Sequence, residues 1–308
     1  MSDIKKYEPL WNAWYVESLI GQGEFSKVYK IRQEAAGKTY YSAVKIISIP
    51  LDDNEIRQMK REGFDDAAMR EFLRDFAKNI FSEIELMNEF RGKSHIVSFE
   101  DSLIIEDRNS IGYDILIRME LLTSLADFTT DTFLPQAEVV KLGIHMCRAL
   151  ELCARKNIIH RDIKPENIFV SPKDYKLGDF GIARQIERTS SQLSKKGTNT
   201  YMAPEVFRYE AYGAGADIYS LGIVLYSLLN QNRTPFLPEF PEPALLSHRE
   251  AAMRRRMNGE TIPALKGIDP ELNGLILKAC AYDRQDRFSS PGEMREALEI
   301  IARTAGER

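Results

Sequence analysis

The chain has 308 residues, which is enough for one large domain or for two lobes that each bury a core. Hydrophobic residues make up 44% and charged residues 29%, an ordinary balance for a globular protein that argues against a disordered or fibrous chain. The formal net charge of -4 supplies no broad positive field, so we expect no nucleic-acid or anionic-lipid partner.

The cysteines and the apolar stretches bear on the compartment. Cys147, Cys153 and Cys280 are too few and too scattered for a disulfide framework, and none stands at zinc-binding spacing from a histidine. We expect reduced thiols in a cytoplasmic protein or in the cytoplasmic domain of a longer one. The longest apolar stretch, residues 218–229, is interrupted by Tyr, Ser and Gly, so we expect no membrane segment in this chain.

The first third of the chain has the patterns of strands and of one long helix. Alternating apolar and polar residues predict three antiparallel strands at residues 15–20, 27–31 and 40–47, with turns at 21–23 and 35–38. Apolar residues spaced by three and four from Met69 to Met87 then predict a long amphipathic helix. Two further strands are predicted at residues 96–101 and 114–120.

Beyond Thr123 the pattern becomes helical, with helices predicted at residues 136–156, 216–230, 271–281 and 291–304. A β-rich part therefore meets an α-rich part near residues 120–124. The expected division is an extension at 1–13, a small lobe at 14–122, a larger lobe at 123–304 and a tail at 305–308. The run Arg254-Arg255-Arg256 is typical of a solvated helix face.

Several short motifs follow one another along the chain. They are a glycine-rich segment at 20–28, a strand lysine at Lys45, His-Arg-Asp-Ile-Lys-Pro-Glu-Asn at 160–167, Asp-Phe-Gly at 179–181 and Ala-Pro-Glu at 203–205. A single loop Asp or Asn is as commonly a turn or capping residue. In this order the motifs resemble the eukaryotic-like (Hanks-type) serine/threonine protein kinase family, bacterial members included, over about residues 14–301.

The resemblance implies an α+β, bilobal protein kinase fold that uses ATP and Mg²⁺ and phosphorylates protein serine or threonine hydroxyls. Asp162 matches the aspartate that orients the hydroxyl and accepts its proton, and Lys164 matches the lysine that steadies the transferring phosphoryl group. Asn167 and Asp179 match the family's two Mg²⁺ ligands, and their hard oxygen donors suit that ion. Lys45 matches the lysine that contacts the α- and β-phosphates.

The same resemblance implies the remaining nucleotide-binding residues. The glycine-rich loop departs from the family pattern because Ser26 replaces the third glycine, and we expect altered loop flexibility rather than lost binding. Met119 would be the gatekeeper. The implied nucleotide contacts are Ile20, Gly21, Gln22 and Gly23 in the loop, Val28, Ala43 and Phe169 around the adenine ring, and backbone groups of Glu120 and Leu122 at its edge.

Lys45 requires an acidic partner on the long helix. Glu83 is preferred because it precedes an isoleucine that faces the core, and Glu85, which lies on another side of the helix, is the competing candidate. The interval between Lys45 and Glu83 is longer than the family usually has, with a polar insert at residues 51–66. This insert is interpreted either as a helical extension on the surface or as a docking or regulatory element.

Two features bear on the acceptor and on regulation. Lys164 in the catalytic loop and Gly197-Thr198 imply a serine/threonine kinase, with the Thr198 hydroxyl bridging Asp162 and Lys164. Arg161 next to Asp162 creates a positive site that a phosphate could neutralise, so we expect activating autophosphorylation within residues 189–200. For autophosphorylation in trans, we expect self-association of two copies of the chain.

Two structural roles and two alternative functions complete the hypothesis. Glu205 is expected to form a buried ion pair with Arg287, and Asp217 to anchor the backbone of the catalytic loop.

The first alternative function is a pseudokinase that binds nucleotide without turnover, against which the intact catalytic residues argue. The second is a small-molecule phosphotransferase of related fold, against which the segment at 197–205 argues.

Overall fold

A computed structural model describes residues 4–23, 26–50, 53–106, 111–179 and 200–306. The following helical residues are described by their backbone alone: Asp53, Phe76, Asn79, Ser82, Glu83 and Leu86. Within these ranges the chain forms two compact units. The first comprises residues 4–93 and 97–122, and the second comprises residues 94–96, 123–179 and 200–306, less the gaps given above.

An antiparallel sheet dominates the first unit. In its described residues the strands are β1 (Tyr15–Gln22), β2 (Ser26–Ala35), β3 (Lys38–Ile49), β4 (Phe99–Glu106) and β5 (Tyr113–Met119), in the order β1-β2-β3-β5-β4. The three predicted N-terminal strands and their antiparallel pairing are therefore confirmed. Ala36 and Gly37 join β2 to β3 with φ angles of 50° and 72°, the conformation that a two-residue hairpin turn requires.

The predicted bounds of the fourth strand are wrong. The strand begins at Phe99 and continues to Glu106, whereas Ile96 forms an isolated parallel bridge with Leu177. The Leu177 N–H donates to the carbonyl of His95 at 2.8 Å. Ile96 is buried in the second unit rather than in the sheet of the first. An apolar residue signals burial, and burial alone does not distinguish a strand from an irregular segment.

Two helices complete the first unit, α1 (Asp53–Arg61) and α2 (Asp66–Glu89). Asp65 caps α2 by accepting the Ala68 N–H at 2.8 Å. The predicted apolar stripe is confirmed by these buried side chains: Met69, Leu73, Ile80, Ile84 and Met87. The predicted helical extension is α1, and its Met59 packs with Met69, Leu73 and Ile111, so the insert has a small core of its own.

Residues 4–14 also pack on this unit. Ile4, Leu10 and Trp14 are buried against one face of the sheet, where they contact Val44 and Ile46 of β3. The carboxylate of the buried Asp114 accepts hydrogen bonds from Tyr7 and from Ser48, both at 2.5 Å. The N-terminal segment is therefore part of the core of the first unit.

Helices dominate the second unit. Its described helices are α3 (Leu125–Phe128), α4 (Gln136–Arg155), α5 (Pro204–Phe207), α6 (Gly215–Leu229), α7 (Leu246–Met257), α8 (Pro270–Ala279) and α9 (Pro291–Gly306), with β6 (Thr123–Ser124), β7 (Ile168–Val170) and β8 (Tyr175–Leu177) forming a small sheet. The four predicted helices are confirmed to within two residues at each end. Every residue from Ala216 to Leu228 is buried, so α6 is the centre of this unit.

The prediction that the arginine run in α7 forms a solvated helix face is wrong for one of its three residues. Arg254 and Arg255 are exposed, but Arg256 is 3% exposed and its Nη2 donates to the carbonyl of Thr200. Because successive helical residues are turned by about 100°, three in a row cannot share one solvated face.

The cysteines, all within the described ranges, are buried and form no disulfide. Among the described residues, no helix has both the length and the apolar character needed to cross a membrane.

Candidate active site

The catalytic loop brings three predicted site residues together around one carboxylate. The Lys164 ammonium lies 2.8 Å from Asp162 Oδ2, and the Asn167 side-chain amide donates to the same oxygen at 2.8 Å. The Asn167 amide also donates to the backbone carbonyl of Asp162 at 2.8 Å. A short 3-10 helix at Pro165–Asn167 turns the chain so that residue 167 returns to residue 162. Both contacts to the carboxylate use Oδ2, which fixes the orientation of the side chain.

Asp217 holds the backbone of this loop, as predicted. It lies in the first turn of α6, is 2% exposed, and accepts the His160 and Arg161 N–H groups at 2.8 Å each. Arg161 has a φ angle of 69°, a left-handed conformation that is unfavourable for residues other than glycine. The two hydrogen bonds to the carboxylate stabilise this conformation and thereby position the following Asp162.

The second predicted metal ligand is tied to the same loop. The Gly178 N–H donates to the carbonyl of Asn167 at 2.9 Å, and Gly178 directly precedes Asp179. The buried His160 ring contacts the Gly178 carbonyl through Nε2 at 3.0 Å. Asp179 itself has a φ angle of 60°. The role of His160 in holding this segment was not predicted, and its place in the motif gave no signal for that contact.

In the first unit, strand register places the predicted nucleotide residues on one face of the sheet. Lys45 lies opposite Val28 on β2 and Ile117 on β5, and Ala43 lies opposite Met119. Directly opposed residues point to the same face, and residues two apart on a strand share it. Val44 and Ile46 therefore point to the other face, where they pack in the core with the N-terminal segment. The register thus separates a structural face from a candidate ligand face.

Lys45 is 4% exposed. A buried ammonium requires an anionic or hydrogen-bonding partner, which distinguishes Lys45 from the solvated lysines common on strands. For the expected partner, Glu83, only the backbone is described, while the neighbouring Ile84 is buried and the competing Glu85 is exposed.

The glycine-rich segment is the hairpin between β1 and β2. Gly21 pairs with Val28 across the hairpin, next to a register shift between Leu19 and Gly21. The Gly23 N–H donates to the Ser26 carbonyl at 2.8 Å. Ile20 and Gln22 are exposed at this end of the sheet. Ser26 thus takes part in closing the hairpin through its backbone, a role that does not require a third glycine.

The predicted hinge follows β5. The Glu120 N–H donates to the Ser98 carbonyl at 3.1 Å, and the Glu120 side chain accepts the Ser98 N–H at 2.6 Å. Ser98 was not singled out from the sequence. Leu122 is half-buried and is the last residue of the first unit. In the second unit, Phe169 lies on β7 opposite Ser124 and Lys176.

The predicted ion pair between Glu205 and Arg287 is confirmed. The two guanidinium nitrogens Nη1 and Nη2 contact the two carboxylate oxygens at 2.7 and 2.9 Å, and both residues are buried. Arg287 also donates to the carbonyls of Ala281, Tyr282 and Gly215 at 2.7 to 3.0 Å. The pair therefore has the additional hydrogen bonds that a buried ion pair requires.

Part of the predicted site lies outside the described residues. This part comprises Phe180 and Gly181, the loop residues Thr189, Ser190, Ser191 and Ser194, and Gly197-Thr198. In the described residues, the antiparallel sheet of the first unit and the helical second unit with its Asp-Lys-Asn loop constitute the predicted bilobal α+β fold.

A family model described as the protein kinase domain matches residues 14–300. Since this match covers most of the chain, the chain belongs to the protein kinase domain family.

Curated relatives include proteins from bacteria and from yeast. The chain is 34% identical to serine/threonine-protein kinase PknB of Mycobacterium leprae over 55% of the chain and 27% of that protein. It is 34% identical to serine/threonine-protein kinase shk2 of Schizosaccharomyces pombe over 54% of the chain and 28% of that protein. It is 28% identical to a probable serine/threonine-protein kinase of Clostridium perfringens over 95% of the chain and 38% of that protein. The chain thus spans well under half the length of these relatives.

Proposed function

We propose that this chain is an active protein kinase that transfers the γ-phosphoryl group of ATP to serine or threonine hydroxyls of proteins. The observation that carries this proposal is the Asp162 carboxylate, whose Oδ2 is contacted at 2.8 Å by both the Lys164 ammonium and the Asn167 amide. The names of the similar proteins, which are serine/threonine-protein kinases, support the class of acceptor.

The contacts of Asp162 assign different tasks to its two oxygens. Oδ2 is used by Lys164 and Asn167, so Oδ1 is the oxygen that would orient the incoming hydroxyl and accept its proton. Lys164 would compensate the negative charge on the transferring phosphoryl group. Because the loop is held by Asp217 before substrate arrives, the arrangement lowers the barrier by positioning and by electrostatic preorganisation.

Mg²⁺ is the proposed metal, and the donor chemistry fits it. The Asn167 amide nitrogen donates to Asp162, so the amide oxygen is turned the other way and can serve as a ligand. Together with the Asp179 carboxylate it provides the hard oxygen donors that Mg²⁺ prefers. When bound, the ion would supply charge compensation for the phosphates.

The nucleotide contacts follow from strand register. Val28, Ala43, Lys45 and Met119 share one face of the sheet, and we propose that Lys45 binds the α- and β-phosphates while the others contact the base. Since the Glu120 N–H donates to Ser98, the hinge contact proposed for Glu120 uses its carbonyl. The remaining proposed contacts are Ile20, Gly21, Gln22 and Gly23 over the phosphates, Leu122 at the hinge, Phe169 at the base and Glu83 as partner of Lys45.

The test of acceptor class is phosphate transfer from γ-labelled ATP and Mg²⁺ to a generic basic protein, followed by phosphoamino-acid analysis. Phosphoserine or phosphothreonine is expected with the wild-type chain and neither with Asp162→Asn or Lys45→Met, while Asp131→Asn, a change at an exposed aspartate, retains the activity. Absence of transfer by a folded wild-type chain would favour the pseudokinase alternative. Transfer to a small molecule but to no protein would favour the other.

We also propose activating autophosphorylation within residues 189–200, in trans between two copies. The support is Arg161, which precedes Asp162 and whose Nε is buried without a hydrogen-bond partner among the described residues. A phosphate would supply that partner. Mass spectrometry after incubation with ATP should find phosphate in this window in wild-type protein and not in Asp162→Asn, and a mixture of the two should label the inactive copy. Phosphate found solely outside the window would contradict the proposal.

Three buried, unbridged cysteines fit a reducing compartment, and we propose a cytoplasmic location on that basis. Fractionation of cells that produce the protein tests this.

A further inference from the structure

The guanidinium group of Arg118, on β5, is held against two tryptophan side chains of the N-terminal segment. Its Cζ lies 4.8 Å from the centroid of the Trp11 ring and 5.0 Å from that of the Trp14 ring. A guanidinium within about 6 Å of the face of an indole ring is attracted by the quadrupole of the ring, and the attraction grows as water is excluded. The Arg118 side chain is 16% exposed and Trp14 is buried, so much of the water is excluded here. These contacts join residues 11–14 to the last strand before the predicted hinge.

A tight turn presents the two tryptophans. The Leu10 N–H donates to the Trp14 carbonyl at 2.9 Å, and the Trp14 N–H donates to the Leu10 carbonyl at 2.8 Å. Inside this turn Trp11 and Asn12 have φ angles of 45° and 65°, a left-handed conformation that is unfavourable for residues other than glycine. Such a conformation persists where surrounding contacts over-determine it, and it is often found at functional positions. The contact of Trp11 with Arg118 is one that this turn makes possible.

Arg118 also connects the turn to two further strands. Its Nε lies 3.1 Å from Glu100 Oε2, although not at the angle of a hydrogen bond, and its Nη2 lies 3.8 Å from Asp101 Oδ2. The same Glu100 oxygen accepts a hydrogen bond from the Ser42 hydroxyl at 2.8 Å. Arg118 therefore has counterions on β4, and through Glu100 it is linked to β3.

The backbone pairing of β5 is irregular at this point. Arg118 pairs with Val44 on β3 and with Asp101 on β4, but the register of β4 shifts between Phe99 and Asp101. Glu100 is thus an extra residue without a partner of its own on β5, as in a β-bulge. Because the ladder is interrupted next to Arg118, side-chain contacts contribute more to the position of this end of β5.

The end of β5 carries two of the proposed nucleotide contacts. Met119 directly follows Arg118 and lies on the candidate ligand face opposite Ala43, whereas Arg118 shares the other face with Val44. Glu120 comes next and is the first residue of the proposed hinge. A shift of the Arg118 backbone would move both following residues, because they are joined to it in one extended segment.

We propose that Trp11 and Trp14 are positioning residues for nucleotide binding, because they fix Arg118 and thereby the place of Met119 and Glu120. The inference rests on the proposed function, since it requires that the end of β5 binds the adenine base. Trp11 is the more informative residue: Trp14 belongs to the buried core of the first unit, whereas Trp11 is half-buried and packs against that core. Trp11 Nε1 has no hydrogen-bond partner among the described residues, so its ring supplies the contact with Arg118.

The size of the effect is limited by the contact. A contact can shift the equilibrium between two positions of the hinge by no more than its own free energy. The loss of one cation–π contact in Trp11→Ala should therefore raise the nucleotide Kd by about three- to tenfold. Trp11→Phe retains an aromatic face and should raise it by less than about twofold. In both variants kcat at saturating ATP should change by less than about twofold, because Asp217 holds the catalytic loop from within the second unit.

The experiment is a calorimetric titration of the full chain with ADP, which is not consumed, in the presence of Mg²⁺. Steady-state kinetics on the same preparations give kcat and the KM for ATP, and urea unfolding shows that each variant is folded under the conditions used. Tyr40→Ala, the matched control at an exposed aromatic residue on β3, should keep the wild-type Kd. Arg118→Gln should weaken binding at least as much as Trp11→Ala, and Trp11→Ala should add nothing further in the Arg118→Gln background.

Three results would overturn the proposal. They are wild-type affinity for ADP in folded Trp11→Ala, equal losses in Trp11→Ala and Trp11→Phe, and additive losses in the variant that combines Trp11→Ala with Arg118→Gln. Failure of the folded wild-type chain to bind ADP would overturn it as well, and in that case nucleotide binding, on which the proposed function depends, would also be refuted.

Discussion

Replacement of Asp217 by alanine should disable the catalytic loop without touching any proposed substrate or metal contact. The Asp217 carboxylate accepts the His160 and Arg161 N–H groups at 2.8 Å from a site that is 2% exposed. Its loss leaves both N–H groups without this acceptor and removes the support for Arg161, which has a φ angle of 69°. The chain at Asp162 would then relax from its present position.

The magnitude follows from these contacts. A hydrogen bond to a charged group contributes about 1.5–3 kcal/mol, so the loss of two, partly offset by entering water, should lower the free energy of unfolding by about 3–5 kcal/mol. A displacement of a catalytic group by about 1 Å can lower a rate by about 10²-fold, so kcat should fall by roughly that factor. Asp217→Asn, which retains one acceptor oxygen, should lose less on both measures.

Urea denaturation gives the stability, and steady-state phosphorylation of a basic protein gives kcat and the KM for ATP. The matched control is Asp131→Ala, an exposed aspartate, for which a change below about 0.5 kcal/mol and an unchanged kcat are expected. If Asp217→Ala lost stability but kept wild-type kcat in conditions where it is folded, the inference that Asp217 positions Asp162 would be wrong.

Three further predictions concern the core of the second unit. Arg287→Met leaves its buried glutamate partner without a counterion and should cost about 3–5 kcal/mol in urea unfolding; a cost below 1 kcal/mol would show that the pair contributes little. Gly222→Ala places a Cβ 2.7 Å from the sulfur of Cys280 and should cost about 1–3 kcal/mol, whereas Gly274→Ala, with open space at the Cβ, should be neutral or stabilising; equal effects would contradict the packing. Burial raises the pKa of Cys153 and Cys280 to about 12, so at pH 8 a thiol reagent should modify the cysteines in urea but not in the folded protein; fast labelling of the native chain would contradict their burial.

The sequence predicted the elements whose residues have a regular period. β1 to β3 and α2 were predictable because alternation and three-four spacing report which side of an element is buried. The start of β4 and the third arginine of the run in α7 were not, since Ile96 and Arg256 are buried by distant parts of the chain. Local composition contains no record of such contacts.

The site shows the same division. Short motifs identified Asp162, Lys164 and Asn167, and the structure places the three together. The support of Glu120 by Ser98 could not be predicted, because it is a backbone contact that any residue could provide.

The most direct test of the central claim is single-turnover phosphoryl transfer at saturating ATP and Mg²⁺, combined with nucleotide affinity measured on the same preparations. If Asp162 acts in the chemical step, Asp162→Asn should lower the transfer rate by at least about 10²-fold while the Kd for ATP changes less than about threefold. A rate within a factor of two of wild type, with the same protein substrate, would contradict the assignment of Asp162 as the catalytic carboxylate.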